Sequence, residues 1–168
     1  MERRQLIGAG ALALGAAAVG YATFAPTSDE ELIAAVLDAL AAALSFDEPQ
    51  GNPVMWGARL SGEFKELMTP QVQIQVAEVH GKIPSSREKL GMAAALVLQR
   101  YGSLALSFSA LRTSVAGDGA QVEATAHVAG QLYGEYRQDT RQVQIGLDKS
   151  DGDWRVSTAL VRTAEAVA

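Results

Sequence analysis

Hydrophobic positions recur along this chain with two different periods. Leu32, Ile33, Val36, Leu37, Leu40 and Leu44 fall on one helical stripe. Ser28 and Glu31 stand at the S-x-x-E spacing of a capping box at its start. Residues 47–53 hold two prolines and a glycine and predict a loop. Asn52, with Pro53 at the first helical position, starts a short helical stretch. Leu60, Phe64, Leu67 and Met68 predict a further short helix ended by Pro70. Val72, Ile74 and Val76 then alternate with Gln71, Gln73 and Gln75, the pattern of a half-buried strand. Ser85 and Glu88 repeat the capping box. Leu90, Ala94, Val97 and Tyr101, widened by Met92 and Leu96, predict a well-buried helix.

After Gly102 the period falls to two. Strands are expected over residues 104–116, 120–133, 140–149 and 154–163, with hairpin turns at Gly117-Asp118-Gly119 and at Ser150-Asp151-Gly152-Asp153. Residues 134–139 read as a looser connection. Helices, one strand, a helix and a four-stranded meander make an α+β protein. Its sheet must curl over the helices to cover their apolar faces.

Upstream of this domain, Arg3 and Arg4 precede an uncharged run over residues 6–25 that holds eight alanines and four glycines. Twenty helical residues span about 30 Å, the thickness of a hydrocarbon core. Positive charge before the run directs the C-terminal part across the membrane. The run resembles a bacterial twin-arginine export signal, with Gly8 where that motif is usually basic or polar. Residues 1–25 are therefore expected to be an export signal or a membrane anchor, and residues 26–168 a domain on the periplasmic side of the inner membrane. Gly20-Tyr21-Ala22 and Ala18-Val19-Gly20 are both possible cleavage sites.

Net charge is −5, without a basic stripe, which argues against nucleic-acid binding. No cysteine is present, so disulfides, thiolate metal ligands and a cysteine nucleophile are excluded. Two histidines without a compact carboxylate cluster do not make a metal site. No cofactor fingerprint is present.

Residues 145–156 read Ile-Gly-Leu-Asp-Lys-Ser-Asp-Gly-Asp-Trp-Arg-Val. Such a closing hairpin, with the preceding order of elements, resembles the nuclear transport factor 2-like superfamily, whose cone fold is shared with ketosteroid isomerase and polyketide cyclases. The resemblance implies a pocket between the helices and the concave face of the sheet. Trp56, Phe64, Tyr101, Phe108, Val128 and Trp154 are expected to line it. Alternation places Leu104, Leu106, Val122, Ala124, Ala126, Val143, Ile145, Leu147, Val156 and Leu160 inward, with Thr158 among them. Glu123, Thr125, His127, Gln142, Gln144, Ser107, Ser109, Arg155 and Ser157 then face outward.

Glu78, in register with Val72, Ile74 and Val76, is the best inward proton carrier, with His80 as its partner. His127 is a surface histidine or part of a sheet-to-sheet homodimer contact. Tyr133 and Tyr136, beside Glu135 and Arg137, have the composition of a contact site. Three functions follow: a non-catalytic binding or assembly domain with an unknown protein partner, a carrier of a small apolar ligand in the cone, or an isomerase- or cyclase-type enzyme using Glu78.

Overall fold

In the computed structural model, residues 28–81 and 83–163 are described, so the expected leader lies outside the described residues. Among them no helix is long and apolar enough to cross a membrane. Helix α1 covers Asp29–Leu44, and its Ser28–Glu31 capping box forms as expected. Helix α2 covers Pro53–Leu67. The two short helices of the sequence reading are thus one, running through Gly57 and Gly62. Strand β1 (Met68–Val76) and helix α3 (Arg87–Leu98) follow, then strands β2 (Tyr101–Ala116), β3 (Gly119–Leu132), β4 (Glu135–Ser150) and β5 (Asp153–Thr163).

The sheet order is β1-β5-β4-β3-β2. Strands β2 to β5 form the expected antiparallel meander, and β1 joins β5 in parallel. The helices pack on one face of this sheet, and the main core lies between.

The cap of α3 is Ser86, whose hydroxyl accepts from Lys89 N–H, and not the expected Ser85. Four further expectations need correction. Residues 134–139 are strand, because β4 starts at Glu135. The connection is a two-residue turn, Tyr133-Gly134, with both φ angles positive at 51° and 83°. That is the geometry of a type I′ hairpin, matched to the strand twist. Tyr101 belongs to β2 and not to α3.

Helix α3 buries a different face from the one its apolar stripe indicates. Leu90, Gly91, Ala95 and Leu98 are buried, while Met92, Leu96 and Val97 are exposed. The cause is close approach of α2, since only the Gly/Ala face of α3 has room for it. A methyl group added at Gly91 would stand 2.5 Å from the Ser61 nitrogen.

The fourth correction concerns β5. Leu147 pairs with Val156 but Gly146 pairs with Thr158, so Ser157 is an extra residue in a bulge. The bulge inverts the remainder of the strand. Ala159 and Val161 oppose the inward Ile145 and Val143, and Val161 packs on the main core. Thr158 and Leu160, expected inside, take the outer face instead.

Candidate functional site

The concave side of the sheet is where the fold positions a site. Ile33, Leu37 and Phe64 from the helices meet Val122, Leu147 and Val156 from the sheet, and these six are among the most fully buried side chains. The expected pocket lining divides between two packed clusters. Phe64, Trp154 and Phe108 belong to the main core. Trp56, Tyr101 and Val128 join a second cluster with Phe46, Leu60, Leu98 and Leu104. Phe46 and Trp56 meet edge to face, with ring centroids 4.9 Å apart. Among the described residues no polar or charged side chain is buried. Between sheet and helices the described residues contribute the buried apolar side chains of these two clusters. A groove of about 440 Å³ lies outside them, between α1 and α2, lined by Ala39, Ala42, Ala43, Glu63, Glu66 and Leu67.

Glu78 lies two residues beyond the end of β1, with its side chain 48% exposed. Its carboxylate accepts from Arg141, whose guanidinium also donates to Asp139 at 2.7 Å. The Thr163 hydroxyl donates to the same Glu78 oxygen at 3.1 Å. Arg141 stands opposite Ala126 and two residues before Val143, so this quartet closes the rim of the concave face. The hydrogen bond from Arg141, and then that from Thr163, holds Glu78 below the usual carboxylate range despite some desolvation. A general base works best with a pKa near the operating pH. Arg141 moves Glu78 the other way, and the rim pair is built as a clasp between β1 and β4. His80 is exposed, and no hydrogen bond joins it to Glu78 among the described residues.

The outer face carries the polar row that alternation predicts. The Ser109 hydroxyl and His127 Nε2 are 2.7 Å apart, and Gln142 Nε2 donates to Thr125 at 3.3 Å. The Ser109–His127 pair has the separation of a nucleophile and its base. It is solvent-exposed on an open sheet face, and no carboxylate orients the ring among the described residues. Tyr133 and Tyr136 stand exposed at the β3–β4 hairpin.

Sequence reading overlooked one polar centre. Asp29, in the first turn of α1, accepts from Lys149 Nζ at 2.8 Å and from the Trp154 indole N–H at 2.9 Å. Lys149 also lies 5.5 Å from the Trp154 ring centroid. The clamp fixes the start of α1 to the β4–β5 hairpin, one residue after the capping Ser28. Its only sequence signal is the Asp-Gly turn before Trp154, and the partner lies 125 residues away.

The hydrogen bond from Lys149, then that from Trp154, pulls the Asp29 pKa below its ordinary value. A carboxylate depressed on folding contributes stability that is present above its unfolded pKa of about 3.9. That contribution is lost as pH falls through the lower folded value. With Trp56→Phe removing the second indole, Trp154 fluorescence should therefore change below about pH 4. Asp29→Asn should abolish this transition. An unchanged acid transition in Asp29→Asn would show that another group controls it.

No family model matches the chain, and no curated protein matches its sequence. Solved structures do match. A nuclear transport factor 2-like protein with a cystatin-like fold from Novosphingobium aromaticivorans superposes with a TM-score of 0.62 at 14% identity, covering 97% of this chain and 94% of its own. A nuclear transport factor 2 superfamily protein from Salmonella enterica gives 0.61 at 11% identity, covering 84% and 96%. A Kribbella flavida protein gives 0.66 at 14% identity, covering 82% and 91%. The described chain has the nuclear transport factor 2-like cone fold. At these identities the likeness establishes the fold and no activity.

Proposed function

We propose that this protein is an exported or inner-membrane-tethered, non-catalytic domain that works by binding or assembly. The observation that carries the reading is the packed interior. Phe64, Trp154 and Leu147 are buried in one apolar cluster between the helices and the sheet, which supports an interior built for packing. A binding pocket needs unfilled concave space and a few convergent polar groups. The proton carrier that sequence placed nearest the interior, Glu78, is held by Arg141 at the rim. Export or tethering is supported by Arg3, Arg4 and the uncharged run after them.

Two measurements test the reading. Full-length protein should fractionate with the inner membrane or periplasm, and Arg3→Lys with Arg4→Lys should leave it in the cytoplasm. Purified protein should show no rise in Tm with fatty acids or steroids, because a ligand bound only by the folded state must raise it. A cytoplasmic wild-type protein would overturn the export half. A large thermal shift would overturn the non-carrier half.

A further inference from the structure

The outer face of the sheet holds a reactive pairing that binding or assembly leaves unused. Ser109 of β2 lies opposite Thr125 of β3, and Ser107 lies opposite His127. Ser109 and His127 are therefore diagonal neighbours on one face, a spacing that a long side chain can bridge. Ser109 Oγ and His127 Nε2 stand 2.7 Å apart, and both residues are exposed. Among the described residues no other hydroxyl is bonded to an imidazole.

The backbone beside Ser109 is irregular. After Ser109↔Thr125 the next pair is Arg112↔Glu123, so three steps along β2 face two along β3. The extra residue makes a bulge. Ala110 sits in it with a φ of 53°. That is the left-handed region, which a residue with a Cβ enters only at a steric cost. Two other non-glycine residues share it, Tyr133 and Asp151, and both are turn residues. Ala110 alone holds this conformation inside a strand. Bulges re-aim side chains, and strain of this kind gathers at functional positions. The side chain next to the strained residue is the one bonded to His127.

We propose that Ser109 is an acyl-acceptor site for activated acyl esters, with His127 as its base. A serine hydroxyl is a weak nucleophile until a neighbouring base takes its proton. With the ring proton of His127 on Nδ1, Nε2 accepts the Ser109 hydroxyl. Ser109 Oγ forms a bond to the acyl carbon and passes its proton to Nε2. The bond from that carbon to the leaving oxygen breaks, and the departing oxyanion takes the proton from Nε2. An alcohol leaves, the acyl group stays on Oγ, and no oxidant or further reactant is needed.

The surroundings set the kind of donor. Thr125, opposite Ser109, and Ser107 and Thr140, on either side of His127, are uncharged, as is Gln142, which is bonded to Thr125. The face therefore suits a neutral acyl group, and its openness gives a donor the access that the packed interior does not. No carboxylate orients the ring among the described residues, so acylation is slow beside that of a hydrolase. Serine oxygen is a poorer leaving group than that of an activated ester, so the acylated form accumulates. The site uses neither the cone interior nor the leader, and it stands or falls apart from the export and packing readings.

The probe is p-nitrophenyl acetate, added to full-length protein. A stoichiometric burst of p-nitrophenolate is expected, and peptide mapping should place the acetyl group on Ser109. Ser109→Ala should lose the burst. His127→Gln keeps a hydrogen-bonding side chain and removes the base, so it should slow the burst by about a hundredfold with Tm unchanged. Ser107→Ala, on the same face, should leave it intact. Acetyl groups on lysines alone, a burst that survives Ser109→Ala, or equal rates in wild type and His127→Gln would each overturn the proposal.

Discussion

Phe64→Ala should cost about 3–5 kcal/mol of stability and turn the protein into a binder of small apolar molecules. Phe64 is 2% exposed and belongs to the core between helices and sheet. Truncation loses the transfer free energy of the ring and leaves a cavity that rigid neighbours only partly fill. For a domain of this size the loss corresponds to a fall in Tm of roughly 10–20 °C. The cavity would be lined by aliphatic side chains, so it should stay dry and accept benzene-sized ligands. Such a ligand should then raise the Tm of Phe64→Ala and leave that of the wild type unchanged. Equal shifts in both proteins would mean that the native cone already holds accessible space. The native interior would then be open to ligands, and the protein would be a carrier.

That outcome bears on how far sequence alone can reach in a fold of this kind. Period-2 alternation assigned the inner and outer faces of β3 and the paired half of β4 correctly, because Val122, Ala124, Val143 and Ile145 oppose one another without irregularity. It misassigned the end of β5, where one bulged residue at Ser157 shifts the register. A bulge adds a residue without leaving a composition signature, so Leu160 reads as inward until its partner Gln144 is known. The start of β4 was hidden for a different reason. Tyr133 adopts a positive φ without being glycine, and only Gly134 marked the turn.

The candidate site was legible in kind and illegible in detail. An apolar interior and a polar outer face both follow from alternation. Alternation along β1 extrapolates Glu78 inward, but Glu78 lies in the turn beyond the strand, and its partner Arg141, 63 residues away, is announced by no local pattern. The same holds for Asp29, whose partners Lys149 and Trp154 are supplied by the last hairpin. Long-range polar pairs decide whether a carboxylate is a base or a clasp, and periodicity carries no information about them.

Helix α3 gives the sharpest case of tertiary packing overriding an apolar stripe, and a pair of glycine substitutions should expose it. Gly91→Ala and Gly62→Ala are the same change in two adjacent helices, and they should shift stability in opposite directions. Intrinsic propensity favours alanine by about 0.5–1 kcal/mol at either position. Gly62 is exposed with nothing within 4 Å of an added methyl, so Gly62→Ala should realise that gain. At Gly91 the methyl would stand 2.5 Å from the Ser61 nitrogen and 2.7 Å from its Cα. Those are backbone atoms, so relief requires α2 and α3 to move apart. Overpacking of this kind costs about 1–3 kcal/mol. Separation would also strain the bond from Ser61 Oγ to the Glu88 carbonyl, at about 1 kcal/mol. The steric and hydrogen-bond costs exceed the propensity gain, so Gly91→Ala should lose about 2–3 kcal/mol, read as a lower urea midpoint at constant slope. If Gly91→Ala instead stabilised the protein as Gly62→Ala does, the two helices would not be in close contact there. The exposure of Leu96 and Val97 would then need another cause.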